Sequence, residues 1–202
     1  MRSHSPGFRG RAFKIALALA VGTPLVVLGV GAARSQTARS QTTAVKPDAN
    51  GYIPQATIIE IMDSLVMPSA QSVWDAVAID VTEKGTIEKK PQNDEEWAAL
   101  RGTAVALAEA TNLLVVPGRH AAPAGTKSAN PDSELTPEKI DALLGSQRPA
   151  WIAHAHVLHE AAMEALRAID AKNIEGISDA GGTIDAACEG CHLQFWYPEQ
   201  QK

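Results

Sequence analysis

Aromatic residues are scarce in this chain of 202 residues, nine in all, and four of them are Trp. Two cysteines are too few for a disulfide scaffold. Acids are absent from the first 33 residues, which carry Arg2, Arg9, Arg11 and Lys14. Beyond that segment basic residues are the deficit, 14 against 23 acidic, so a nucleic-acid binder, which needs a basic face, is excluded. After residue 50 no stretch shows sustained strand alternation, which points to an all-α chain. An apolar fraction of 45% with 20% charged residues supports one packed domain, and length leaves little room for a second.

The amino terminus reads as an export signal. A basic stretch precedes the apolar run Ile15–Val30, small residues follow at Gly31, Ala32 and Ala33, and the chain then turns polar. Cleavage after Ala32 or Ala33 is expected, because Gly22, Pro24, Gly29 and Gly31 weaken a spanning helix. The competing expectation is an uncleaved anchor, since the run approaches the length of a membrane span. Either way residues 51–202 lie outside the cytoplasmic membrane, in the periplasm, and touch the membrane only if the segment is retained. Residues 34–50, rich in Ser, Thr, Gln and Ala, read as a flexible linker.

Four amphipathic helices are expected in residues 51–202. The first spans about Pro54 to Asp80, with Ile58, Ile61, Met62, Leu65 and Ser69 on one face and a kink at Pro68. The second opens at an Asn93/Glu96 capping box and carries the seam Trp97, Leu100, Ala104, Leu107, Thr111 and Leu114 before Pro117-Gly118. Residues 118–147 form the long connection, with a short helix at Thr136–Leu144. The third begins near Pro149 with the seam Trp151, Ala155, Leu158, Ala162, Ala165 and Ile169. The fourth runs from about Asn173 to Trp196. Seams of this spacing, mostly joined by short connections, suggest an antiparallel up-down-up-down four-helix bundle.

Both cysteines fall in Cys188-Glu189-Gly190-Cys191-His192, the C-x-x-C-H pattern of covalent haem attachment. On a helix, positions 0, 3 and 4 project within one strip about 100° wide, so two thiols can meet the two haem vinyl groups while the imidazole reaches iron. Three other uses of these residues compete. A thioredoxin-like pair needs a βαβ context, which is missing. A zinc site needs a further ligand. A disulfide across so short a loop would stabilise little.

An export signal, four helical segments and C-x-x-C-H close to the carboxyl end together resemble the cytochrome c′ family, the class II c-type cytochromes, over roughly residues 52–198. The resemblance implies a four-helix bundle holding one haem c, with Cys188 and Cys191 as thioether cysteines and His192 as the proximal iron ligand. It also implies a distal ligand early in the first helix, where Met62 stands. Met67 is the rival thioether, expected to face solvent beside Asp63, Ser64 and Gln71. Leu65 is the residue that would cap a five-coordinate iron. Relatives carry an Arg in the first helix near the haem propionates; here there is none, which leaves Arg101 and Arg148 as candidates.

The implied activity is one-electron transfer through a His/Met-ligated haem with exported or membrane-bound redox proteins, and with no catalytic residues. The alternatives are a five-coordinate haem protein binding nitric oxide or carbon monoxide, and a non-haem bundle using Cys, Cys and His. A homodimer is possible within the family. His154, His156 and His159 do not converge on one face, so they read as satisfied or solvated, and His120 in the loop carries no signal. Trp74, Trp97 and Trp151 read as core.

Overall fold

In the first helical segment Thr57 and Glu60 set the start. The Glu60 carboxylate accepts from the Thr57 backbone N–H at 2.8 Å and from its hydroxyl at 2.7 Å, so the helix begins at Ile58 and not at Pro54. The computed structural model describes residue 47, residues 50–83 and residues 85–198, without the side chains of residues 79–82 and 86. The expected export segment and nearly all of the linker fall outside the described residues. Among the described residues no helix is long and apolar enough to cross a membrane.

The chain is mostly helical. It runs α1 (Ile58–Ile61), a π-helical turn (Met62–Val66), α2 (Met67–Trp74), β1 (Ala78–Thr82), β2 (Gly85–Lys89), α3 (Asp94–Leu114), α4 (Pro137–Ser146), α5 (Arg148–Asp170) and α6 (Ile174–Phe195).

The kink expected at Pro68 takes the form of a distortion in the turn before it. Proline has no N–H to donate to Ser64, and its ring crowds that carbonyl. The chain widens instead, with the Met67 N–H bonding to the Met62 carbonyl. The extra residue slips the apolar stripe by one. Leu65, expected inside, is 39% exposed, while Val66 is buried together with Ser69, Ala70 and Val73.

The first helix ends at Trp74, six residues short of the expectation, and a β-hairpin follows that overlaps the expected helix only at residues 78–80. Five β-branched residues (Ile79, Val81, Thr82, Thr86 and Ile87) crowd into Ala78–Lys89 and favour extended backbone. The strands pair antiparallel from Ala78↔Lys89 to Thr82↔Gly85, closing on two residues. Gly85 takes φ +124°, which a side chain would resist. The alternation is too short to rise above helical patterning in the sequence.

Helices α3, α5 and α6 follow the seams closely. Asn93 caps α3 by accepting from the Glu96 N–H at 2.9 Å, and Glu96 reaches back to the Gln92 N–H at 2.8 Å. Asn173 caps α6 through the Gly176 N–H at 3.1 Å. Every expected seam residue of α5 is buried. Neighbouring helices run antiparallel: Arg101 near the start of α3 pairs with Asp170 at the end of α5, and Trp151 at the start of α5 packs on Phe195 at the end of α6. The first helix packs on α3 and on α6, α3 on α5, and α5 on α6.

The long connection is ordered by helix ends that need partners. The His120 and Ala121 carbonyls accept from the Ile58 and Ile59 N–H groups at 2.9 and 3.0 Å. Leu113, Leu114 and Val115 carbonyls at the end of α3 accept from Arg119, Trp151 and Arg148. Asp141 of α4 then holds the Ala121 N–H at 2.6 Å and His120 Nδ1 at 2.9 Å, a role for His120 that its position in the sequence does not signal.

Candidate functional site

The C-x-x-C-H residues lie in the last two turns of α6, an unbroken helix, so Cys188, Cys191 and His192 project along one strip as their spacing requires. That strip faces a cavity of about 420 Å³, within the range of small-molecule sites. The first helix supplies one wall with Met62, Val66, Met67 and Trp74. Helix α5 supplies Trp151, His154, Ala155 and Leu158. Trp196 and Tyr197 close the side beyond α6, and Glu134 reaches in from the long connection.

Trp74 reaches this position because α6 has a glycine where the two helices meet. A Cβ on Gly181 would stand 3.1 Å from the Trp74 ring, and the Trp74 Nε1–H donates to the Gly181 carbonyl at 2.9 Å. The conformational cost of a mid-helix glycine is thus offset by a close helix contact bordering the cavity.

Both cysteines are free and half-buried. Burial, with Asp185 adding to it, pushes the Cys188 thiol up to about 11. Burial and then Cys188 push the Cys191 thiol up to about 12. Thiols of a dithiol–disulfide catalyst are shifted the opposite way, toward the thiolate. Burial lowers the His192 pKa against the opposing pull of Glu189, which favours the neutral imidazole that a metal requires.

Tyr197 braces the end of the helix. Its N–H donates to the His192 carbonyl at 2.9 Å, its ring centroid lies 5.9 Å from the imidazole, and its hydroxyl donates to Glu189 at 2.6 Å. Burial and the Glu189 carboxylate raise its pKa to about 12. A Ser128 hydroxyl bond, first among its partners, holds Glu134 below the usual carboxylate range.

The structure brings Cys188, Cys191, His192 and Met62 to one cavity. Met67, expected to face solvent, also lines it while remaining 52% exposed at the mouth. Leu65 does not line it. The propionate candidates lie elsewhere: Arg101 pairs with Asp170 at 2.7 Å, and Arg148 is engaged with the Val115 carbonyl. No Lys or Arg is among the described residues lining the cavity, which instead carries Asp63, Glu134, Asp185 and Glu189.

Of the histidines on α5, His156 is exposed. His159 Nδ1 sits 3.2 Å from the Thr111 hydroxyl and 3.1 Å from the Ala108 carbonyl, a satisfied, half-buried position. His154 lines the cavity, with Nε2 2.8 Å from the Gln194 side-chain oxygen. Among the described residues no three His, Cys, Asp or Glu side chains converge on a metal-sized site.

Trp151 and Trp74 border the cavity, whereas Trp97 lies at the opposite end beneath Lys172. Sequence reasoning does not single out Trp196, Tyr197 or Glu134. The aromatic run Phe195-Trp196-Tyr197 directly after the motif is the signal that could have found the first two; Glu134 has none.

The lining is mostly apolar, with two thiols and an imidazole along one wall. No protein-family model, curated protein or solved structure matches the chain.

Proposed function

We propose that this chain is an exported c-type cytochrome: an antiparallel four-helix bundle that holds one haem c and passes single electrons. The observation that carries the reading is the C-x-x-C-H strip of α6 opening on an apolar cavity whose first-helix wall presents Met62. Cys188 and Cys191 would hold the haem through thioethers, His192 would bind the iron as proximal ligand, and Met62 is the candidate distal ligand. The haem, when bound, supplies a one-electron iron couple.

The chain's own residues do the rest. Trp74, Trp151 and Leu158 wall the cavity with apolar surface and limit water. A Met thioether raises the potential of an iron it binds and favours the reduced state. Tyr197 fixes the helix end that carries His192. Asp63, Asp185 and Glu189 make the border acidic, so redox partners with basic faces, in the periplasm or bound to the membrane, are favoured over acidic ones.

The test is a pyridine haemochrome spectrum of the exported protein. A spectrum of a doubly thioether-linked haem is expected, shifting to the singly linked form in Cys188→Ala or Cys191→Ala. Colourless protein with both thiols open to alkylation overturns the proposal. Carbon monoxide binding by the ferrous protein then decides the distal side: slow, incomplete binding by the unaltered protein supports electron transfer through a six-coordinate iron, and fast binding points to a gas-binding role.

A further inference from the structure

The first helix puts two thioethers on the cavity wall. Met62 opens the π-helical turn and Met67 follows its close, joined by the Met67 N–H to Met62 carbonyl bond. On an uninterrupted α-helix, residues five apart stand about 140° apart around the axis. One of the two would then turn away from the cavity. The wider turn before Pro68 narrows that offset, and both side chains line the cavity shared with Cys188, Cys191 and His192. They differ in depth: Met62 is half-buried against the core, and Met67 stands 52% exposed at the mouth. Met67 is half-exposed, and its unbranched side chain has three rotatable bonds with which to reach inward.

We propose that Met67 is a second thioether ligand, which takes the distal iron position whenever Met62 is withdrawn. The proposal rests on the haem reading above. Because both donors are thioethers, exchange between them keeps the iron six-coordinate. Small gases then meet an open iron only in the fraction of molecules that both residues have left, and their apparent binding falls by that fraction.

The test uses the exported, haem-loaded protein and its variants Met62→Leu, Met67→Leu and the double variant, each first checked by pyridine haemochrome. Two readouts are compared: the thioether-to-ferric-iron charge-transfer band, and the rate of carbon monoxide binding to the ferrous form. Met62→Leu is expected to keep the band and gain no more than about tenfold in binding rate. Met67→Leu should resemble the unaltered protein. The double variant should lose the band and gain about a hundredfold or more. If Met62→Leu alone loses the band and binds carbon monoxide as fast as the double variant, Met67 is not a ligand. Absence of the band from the unaltered protein with a normal haemochrome also overturns this proposal and leaves haem attachment standing. An abnormal haemochrome overturns the haem reading itself.

Discussion

The Tyr197 hydroxyl donates to the Glu189 carboxylate at 2.6 Å, across eight residues and around the end of α6. Glu189 lies inside the C-x-x-C-H pattern and Tyr197 just beyond the helix, so the bond ties the two flanks of His192 together. The same tyrosine offers its ring to the imidazole at 5.9 Å.

Tyr197→Phe is therefore expected to keep the ring contact and lose the bond, costing about 1 kcal/mol for a charge-assisted bond that is partly open to water. Tyr197→Leu should cost more, because the ring goes too. Thermal unfolding of the two variants beside the parent protein checks the order.

Two adjacent glycines of α6 should respond oppositely to the same change. Gly182 is exposed with nothing near a new Cβ, so Gly182→Ala should stabilise by about 1 kcal/mol through helix propensity alone. At Gly181 the Cβ would press on the Trp74 ring at 3.1 Å. Gly181→Ala should lose that gain and become neutral or destabilising, with a change in Trp fluorescence as the indole shifts. Denaturant midpoints compare the pair.

Phe195 is 1% exposed, edge-on to Trp151 at 5.4 Å and to His154 at 5.9 Å. It backs a small void that Met62, Cys191 and His192 also border. Phe195→Ala should cost about 3–5 kcal/mol and enlarge that void. Denaturant unfolding gives the cost.

Acid should weaken the fold through two helix starts. Hydrogen bonds from Thr57 lower the Glu60 pKa, and Lys172 lowers that of Asp94. The folded chain thus binds these protons less readily than the unfolded chain does. The stability they contribute is present above the unfolded carboxylate range, about pH 4, and is lost as pH falls through the folded values. Melting temperatures between about pH 6 and about pH 3 should fall more steeply for the parent than for the Glu60→Gln, Asp94→Asn double variant.

Much of the site is legible in the amino-acid sequence because its parts are local. Cys188, Cys191 and His192 are placed by helical spacing alone, and α3, α5 and α6 announce themselves through long seams and their Asn93 and Asn173 caps. The first helix is the hard case. Its stripe of Ile58, Ile61, Met62 and Leu65 is consistent with an ordinary α-helix, and only the one-residue slip at the π-helical turn explains why Val66 is inside and Leu65 outside. The hairpin at Ala78–Lys89 escapes sequence reasoning because its alternation is only five residues a side.

Helix periodicity, cap chemistry and the motif's own spacing are thus decided by sequence, since each depends on residues within a turn or two of one another. The tertiary structure decides what arrives from far along the chain: Glu134 at the cavity, Arg101 and Arg148 drawn away to Asp170 and Val115, and Met67 half-exposed at the cavity mouth. These follow from helix ends seeking hydrogen-bond partners and from a proline widening one turn. Both are resolved only when distant segments pack, because the competing local arrangements differ by only about a kilocalorie per mole.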